Sequence, residues 1–279
     1  MIKIVSDEFK AQDRLSPSSI NTYLQCPREY YRVYIAKIKP PKNIHLLKGS
    51  IVHTVLENFF RGYEENPKEF ANKLRIKTIA KHEKGFVELD LKPEELIQHL
   101  TDIEYMVNEY VEYVSRQMKM LVEIGKATNE SHAFYLLRPK FRELWVEGEY
   151  GLLEKDGENI PIRCGGFIDK IQEDWDGNLT IVDYKTSSRF GPGLKEDYKR
   201  QIALYASMYH KKTGLVPDMV SVFFLRYGQE VSIPVTPELL DYAEAIVKNI
   251  FSKTRSVDIN DYPPTGGNAC KFCTHKKEE

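Results

Sequence analysis

Apolar residues between positions 94 and 120 recur every three or four places. Leu96, Leu100, Ile103, Met106, Tyr110 and Val114 share one face, which predicts one long helix. His53, Leu56 and Phe60 predict another over 49–61, with Glu57 one turn after His53. Ser16 followed by Pro17 has the form of a helix start, an N-cap and a first helical residue, and a Pro40-Pro41 break follows. The period then changes. Segments 144–153, 160–172 and 178–187 alternate or run apolar, separated by Lys155-Asp156-Gly157 and Asp176-Gly177, and so predict three strands with turns between them. Helical spacing returns at 197–210. Strands are predicted at 219–226 and 230–235, and a last helix at 237–252. That order fits a mixed α/β core with helices on both sides of its sheet. Residues 1–14 read as a loosely tied arm. The division expected is an N-terminal helical part over 1–61, a helical insertion or subdomain over 62–143 and a core over 144–279. For the insertion a structural role is favoured over a partner-binding surface.

Length and composition narrow this picture only moderately. The 279 residues suffice for one large domain or two small ones, and 42% hydrophobic residues suffice for a sizeable core. No apolar run approaches bilayer length, and Asp7 and Glu8 fall where a signal peptide would be apolar. The expectation is a cytoplasmic or nucleoid-associated protein that is not secreted and has no membrane partner. The net charge of −1 does not announce nucleic-acid binding. Locally, Arg28, Arg32, Lys37, Lys39, Lys42 and Lys48 face Glu29 alone between 27 and 48, interleaved with Tyr30, Tyr31 and Tyr34. Such a stretch could follow phosphates and stack bases, or it could be an amphipathic helix with its tyrosines in the core.

The densest chemistry is Ile181-Val182-Asp183-Tyr184-Lys185-Thr186. Asp183 and Lys185 are two apart on a predicted strand and so point the same way. A carboxylate that binds a hard divalent cation, beside an amine that orients water and offsets phosphate charge, suits phosphodiester hydrolysis. Asp169 can supply a second carboxylate from the preceding strand. Gln201 and Tyr205 share a helix face at i,i+4. Glu147 and Glu149 share a face of the first strand and are further acidic candidates. For each of these residues a solvated strand face or ordinary packing is the bland alternative. Cys270-Lys271-Phe272-Cys273 has the spacing of a metal-binding knuckle.

Taken together, Gly166-x-x-Asp169, Asp183-Tyr184-Lys185-Thr186 and Gln201-x-x-x-Tyr205 resemble the RecB-like branch of the PD-(D/E)XK nucleases. The block Leu15-Ser16-Pro17-Ser18-Ser19-Ile20-Asn21-Thr22-Tyr23-Leu24-Gln25-Cys26-Pro27-Arg28 resembles that branch's opening motif, and Lys48-Gly49-Ser50-Ile51-Val52-His53 its Gly-x-x-x-His helix. The resemblance implies a restriction-endonuclease-like α/β fold, a mixed sheet flanked by helices with an added helical subdomain. It implies a DNA nuclease, an exonuclease on single-stranded ends, serving recombination, repair or end processing. Asp169, Asp183, Lys185, Gln201 and Tyr205 would be catalytic. His53, Asp169 and Asp183 would hold Mg²⁺ or Mn²⁺, and Gln201 and Tyr205 would contact DNA or orient the lysine. Arg28, Arg32 and Lys48 are the candidate nucleic-acid contacts. The partners implied are DNA with free or single-stranded ends and a recombination or helicase protein, since the chain carries no nucleotide-binding Gly-x-x-x-x-Gly-Lys motif of its own.

The same branch often holds a 4Fe–4S cluster on four cysteines. Cys26, Cys270 and Cys273 match three of them, and Glu279 stands where the fourth is expected. His275 is an alternative fourth ligand, and zinc a rival metal. Cys164, an odd number of residues from Asp169, reads as a small buried core residue. A catalytically inert nucleic-acid-binding or adaptor subunit is the competing function, and a redox sensor built on the cysteines a weaker third.

Overall fold

The computed structural model describes residues 9–61, 66–187 and 194–266. Its helices are α1 (Pro17–Gln25), α2 (Pro27–Tyr30), α3 (Ile44–Phe59), α4 (Pro67–Lys81), α5 (Glu83–Val87), α6 (Pro93–Glu123), α7 (Glu130–Leu136), α8 (Glu196–Thr213) and α9 (Pro237–Lys253). Its strands are β1 (Phe141–Lys155), β2 (Glu158–Glu173), β3 (Leu179–Lys185), β4 (Met219–Phe224) and β5 (Gln229–Pro234). They form one five-stranded sheet in chain order. Neighbours are antiparallel except β3 and β4, which run parallel. α8 provides the crossover that parallel strands require.

Local chemistry explains the boundaries. Ser16 caps α1: its hydroxyl accepts the Ser19 N–H at 3.1 Å, and its own N–H donates to Ser19 Oγ at 2.8 Å. α3 starts at Ile44, earlier than its apolar stripe, because Asn43 accepts the His45 N–H at 2.7 Å. The β1–β2 hairpin turns through Asp156 and Gly157, both at positive φ (52° and 80°), the geometry that suits the twist of a two-residue connection. The block 64–143 holds more than the single long helix that its strongest stripe predicts. α4 and α7 begin at the asparagine caps Asn66 and Asn129.

The sheet separates two cores. On one face Ile171, Ile181, Val220 and Val222 pack with Ile202 and Leu204 of α8, Val247 and Phe251 of α9, and Tyr30 and Tyr31 of the N-terminal segment. On the other, Val182, Tyr184 and Phe223 pack with Val52 and Phe59 of α3 and with Met106 and Tyr110 of α6. The basic, tyrosine-rich stretch therefore divides: its tyrosines pack in the core, whereas Lys37, Lys39 and Lys42 are exposed. Tyr30 and Tyr31 are buried and contact the ring of Tyr262. Cys164 is buried in the first core, where burial pushes its thiol up and keeps it protonated.

Candidate active site

The site lies where β2 leaves β3. These strands pair from Glu173↔Leu179 to Lys170↔Val182. Past that point the Tyr184 N–H donates to Asp169 Oδ2 at 2.7 Å, so a side chain takes the place of the neighbouring backbone. Farther along, Leu15 bridges the open edge of β2. Its N–H donates to Arg163 O, and Gly165 N–H donates to its carbonyl, both at 2.9 Å. β1 is also interrupted here. The pairs Arg142↔Lys170 and Leu144↔Ile168 flank Glu143 and Asp169, and Glu143 sits at φ 47°. A non-glycine residue in the left-handed region is uncommon and clusters at functional sites.

Two groups of side chains meet in this gap. In the first, ligand atoms of His53, Glu143 and Asp169 lie within 4.8 Å of one another. His53 Nδ1 stands 3.1 Å from Asp169 Oδ1, and its ring meets Tyr184 edge-on. Burial alone would pull the His53 pKa down, but the charge and hydrogen bond of Asp169 outweigh it and the pKa is raised. Glu143 is pushed up to about 7, first by burial and then by the negative charge of Asp169.

In the second group, Lys185 Nζ lies 2.7 Å from Asp183 Oδ2 and donates to Gln201 Oε1 at 2.8 Å. The Gln201 amide donates to Asp183 Oδ1 at 3.0 Å and to the Tyr205 hydroxyl at 3.1 Å. The approach of Lys185 to Oδ2 is a charge contact without hydrogen-bond alignment, so this oxygen accepts no aligned hydrogen bond among the described residues. Burial raises the Asp183 pKa, with Lys185 opposing it. For Lys185 burial favours the neutral amine, but the carboxylate of Asp183 outweighs it and the pKa is raised. Gly166 keeps the floor low: a Cβ there would stand 3.3 Å from Pro17 and 3.5 Å from the Tyr205 ring.

The structure therefore gathers Asp169, Asp183, Lys185, Gln201, Tyr205 and His53, and it adds Glu143. Asp183 is not in the mutually close set of His53, Glu143 and Asp169; Lys185 and Gln201 engage its carboxylate. The other acidic candidates on β1 are engaged elsewhere, Glu147 with Arg14 at 3.2 Å and Glu149 with Arg163 at 3.6 Å. The basic candidates need correction. Lys48 is buried, with its Nζ 2.7 Å from Asp102 Oδ2. Arg226 Nη2 reaches the same oxygen at 2.8 Å, and Arg226 Nε donates to Thr186 O at 3.2 Å. Arg32 is buried too, and Arg28 Nε donates to Tyr262 O at 2.8 Å. Burial withdraws Lys48 and Arg32 from a phosphate track, whereas Arg28 is half-buried and engaged through its Nε. Cys26 is buried, and Cys270 and Cys273 lie outside the described residues.

A structure described as "Putative exonuclease" from Eubacterium rectale superposes with a TM-score of 0.50 at 14% identity, covering 99% of this chain and 94% of that one. A structure described as SSO0001 gives a TM-score of 0.34 at 16% identity, over 82% of this chain and 93% of that one. None of the curated proteins matches the sequence. The family model for the PD-(D/E)XK nuclease superfamily matches residues 14–277. Together with the mixed sheet, that match over nearly the whole chain means that the protein belongs to the PD-(D/E)XK nuclease superfamily.

Proposed function

We propose that this protein is a divalent-metal-dependent deoxyribonuclease of the RecB-like branch, an exonuclease on single-stranded ends that serves recombination, repair or end processing. The observation that carries this reading is the Asp183–Lys185 pair on one face of β3, fixed by Gln201 beside the His53–Glu143–Asp169 cluster. Burying an ion pair costs desolvation that its mutual attraction only partly offsets. An inert adaptor with this fold has no need of that cost, whereas a catalyst does.

The donor set fits a hard cation. Carboxylate oxygens suit Mg²⁺ and Mn²⁺, and one imidazole is compatible with Mn²⁺. His53, Asp169 and Asp183 would hold the ion, and Glu143, close to His53 and Asp169, would join them. When bound, it would supply Lewis acidity toward a phosphate oxygen and a water of lowered pKa. Lys185 keeps its charge and offsets negative charge on the attacked phosphate. Gln201 fixes the direction of that amine, and Tyr205 holds the amide of Gln201. The decisive experiment is digestion of end-labelled single- and double-stranded DNA, linear and circular, with Mg²⁺ or Mn²⁺. Loss of label from linear single strands with circles spared is expected. Efficient cutting of closed circles would overturn the exonuclease reading, and no degradation of any substrate would overturn the enzyme.

The cysteines extend the proposal to a 4Fe–4S cluster on Cys26, Cys270 and Cys273, with zinc as the rival. Thr265 Oγ1 donates to Gln25 O at 2.9 Å, so the chain leading to Cys270 passes beside Cys26. Five residues span at most about 18 Å, enough to bring the cysteines together. Anaerobically purified protein should be brown. A colourless preparation with neither iron nor zinc by elemental analysis would leave plain thiols and leave the nuclease reading intact.

A further inference from the structure

Beside the active site stands an aromatic pair with no packing reason to be aromatic on its open side. Trp145 and Phe167 are cross-strand partners on β1 and β2. Their ring centroids are 4.9 Å apart at 66°, and Phe167 is 53% exposed. Trp145 is seated by a glycine: a Cβ on Gly165 would come within 2.8 Å of its ring. The Arg14 guanidinium lies 4.9 Å from the Trp145 ring centre. Both rings line a cleft of about 380 Å³ whose other walls include Gln201 and Tyr205. Phe167 is two residues from Asp169 along β2, about 7 Å at strand rise.

That cleft adjoins a second hollow of about 450 Å³, with which it shares Gln12 and Arg14. Its charged lining is Lys10, Arg14, Lys37 and Arg163 against Asp13 and Glu147; Arg14 shares its charge with Glu147 and Arg163 with Glu149, and Lys10 and Lys37 have no ion-pair partner among the described residues, in a chain whose net charge is −1. Local positive charge next to the exposed ring of Phe167, backed by the half-buried Trp145, is the composition that binds unpaired nucleic acid: a base stacks on the open ring and phosphates follow the cations.

We propose that an unpaired DNA strand in the active site continues over Phe167 and Trp145, one base stacking on Phe167, into the basic hollow of Lys10, Arg14, Lys37 and Arg163. The proposal rests on the nuclease reading for its orientation and assigns that site a single-strand track. Duplex DNA has no exposed base face to offer Phe167, so the platform discriminates by strandedness.

The test is fluorescence anisotropy of a labelled oligothymidylate and of a blunt duplex of equal length, without divalent metal. Phe167→Ala should weaken oligothymidylate binding about ten-fold or more and change duplex binding less than two-fold, while Phe167→Trp restores it. Being exposed, position 167 should tolerate these changes, and circular dichroism melting checks that it does. Lys37→Glu with Arg163→Glu should flatten the salt dependence of oligothymidylate binding by roughly one unit of log–log slope. In Trp175→Phe protein, the Trp145 emission should be quenched by the oligothymidylate. A wild type that does not bind oligothymidylate, or a Phe167→Ala protein that binds it within two-fold of wild type, overturns the track. Degradation with Mg²⁺ or Mn²⁺ is scored separately. Cleavage by the wild type together with unaltered oligothymidylate binding by the Phe167→Ala protein overturns the track alone, and Phe167-dependent binding without any cleavage overturns the nuclease reading alone.

Discussion

The two faces of β3 are both buried but carry opposite chemistry, one apolar and aromatic, the other an ion pair. Val182 and Tyr184 point into a core closed by Val52, Phe59 and Tyr110, where the Tyr184 hydroxyl meets that of Tyr110 at 2.9 Å. Asp183 and Lys185, one residue out of phase, point at α8 and are held by Gln201. Both faces are closed off from water, Asp183 at 2% exposure and Tyr184 at 5%. Burial is thus not what separates structure from chemistry here. One face is favourable to bury, and the other carries a charge pair whose desolvation opposes folding. A strand can afford the second face because the first offsets it.

The largest expected effect sharpens this contrast. Asp183→Asn should lower DNA cleavage at least ~10³-fold, as loss of a central charge does in catalytic sites, while the melting temperature stays within a few degrees. Single-turnover cleavage beside calorimetry checks both, and near-normal cleavage would mean that the site is misassigned. The mirror-image change is Phe223→Ala, opposite Tyr184 on β4. Removing this buried ring should cost about 3–5 kcal/mol and leave cleavage per folded molecule nearly unchanged, as read by denaturant melts and active-site-normalised rates. Next, Gln201→Ala should slow turnover about 10–100-fold with little change in KM, because it releases the amine of Lys185 without removing a charge. A change confined to KM would point to substrate binding as its role.

The smallest effect is on stability. Glu143 has its folded pKa raised from 4.5 to about 7, so its ionisation opposes folding. Its contribution is most favourable below pH 4.5 and is lost as pH rises through about 7. In metal-free protein, Glu143→Gln should therefore be more stable than wild type at pH 8, by on the order of 1–2 kcal/mol once partial exposure is allowed for. The difference should vanish near pH 4.5. Equal stability at both pH values would show that the carboxyl is not held in the protonated form.

The residues that were legible in the sequence are those with a local period. Asp183 and Lys185 declare a shared face by their spacing, and Gln201 and Tyr205 by i,i+4. α6 and the strands follow from their apolar patterns to within a few residues. Glu143 was not legible. It has no neighbour that marks it, and alternation along β1 directs attention to Glu147 and Glu149. Its place depends on a left-handed backbone position within a strand, which neither propensity nor pattern announces. α4 was missed for another reason: Ala71 and Thr78 are its only fully buried residues, too few to leave a stripe. Lys48 and Arg28 misled because a lysine or arginine in a sequence reads as a surface charge. The partners that buried Lys48 and engaged Arg28, Asp102 and the Tyr262 carbonyl, lie 54 and 234 positions away.

One of those partners bears on how separable the parts of this molecule are. Asp102 lies within the helical block, yet its carboxylate serves two cations outside it, Lys48 ahead of the block and Arg226 after it. The hydrogen bond from Arg226 and then that from Lys48, with their charges, hold its pKa down to about 2. Arg226 also grips the carbonyl of Thr186, the residue after Lys185. The block is consequently not a cassette. Excising 62–143 would strand two cations, one of them buried, and loosen the end of the strand that carries the lysine. A shortened relative that dispensed with the block would need to change both cations with it.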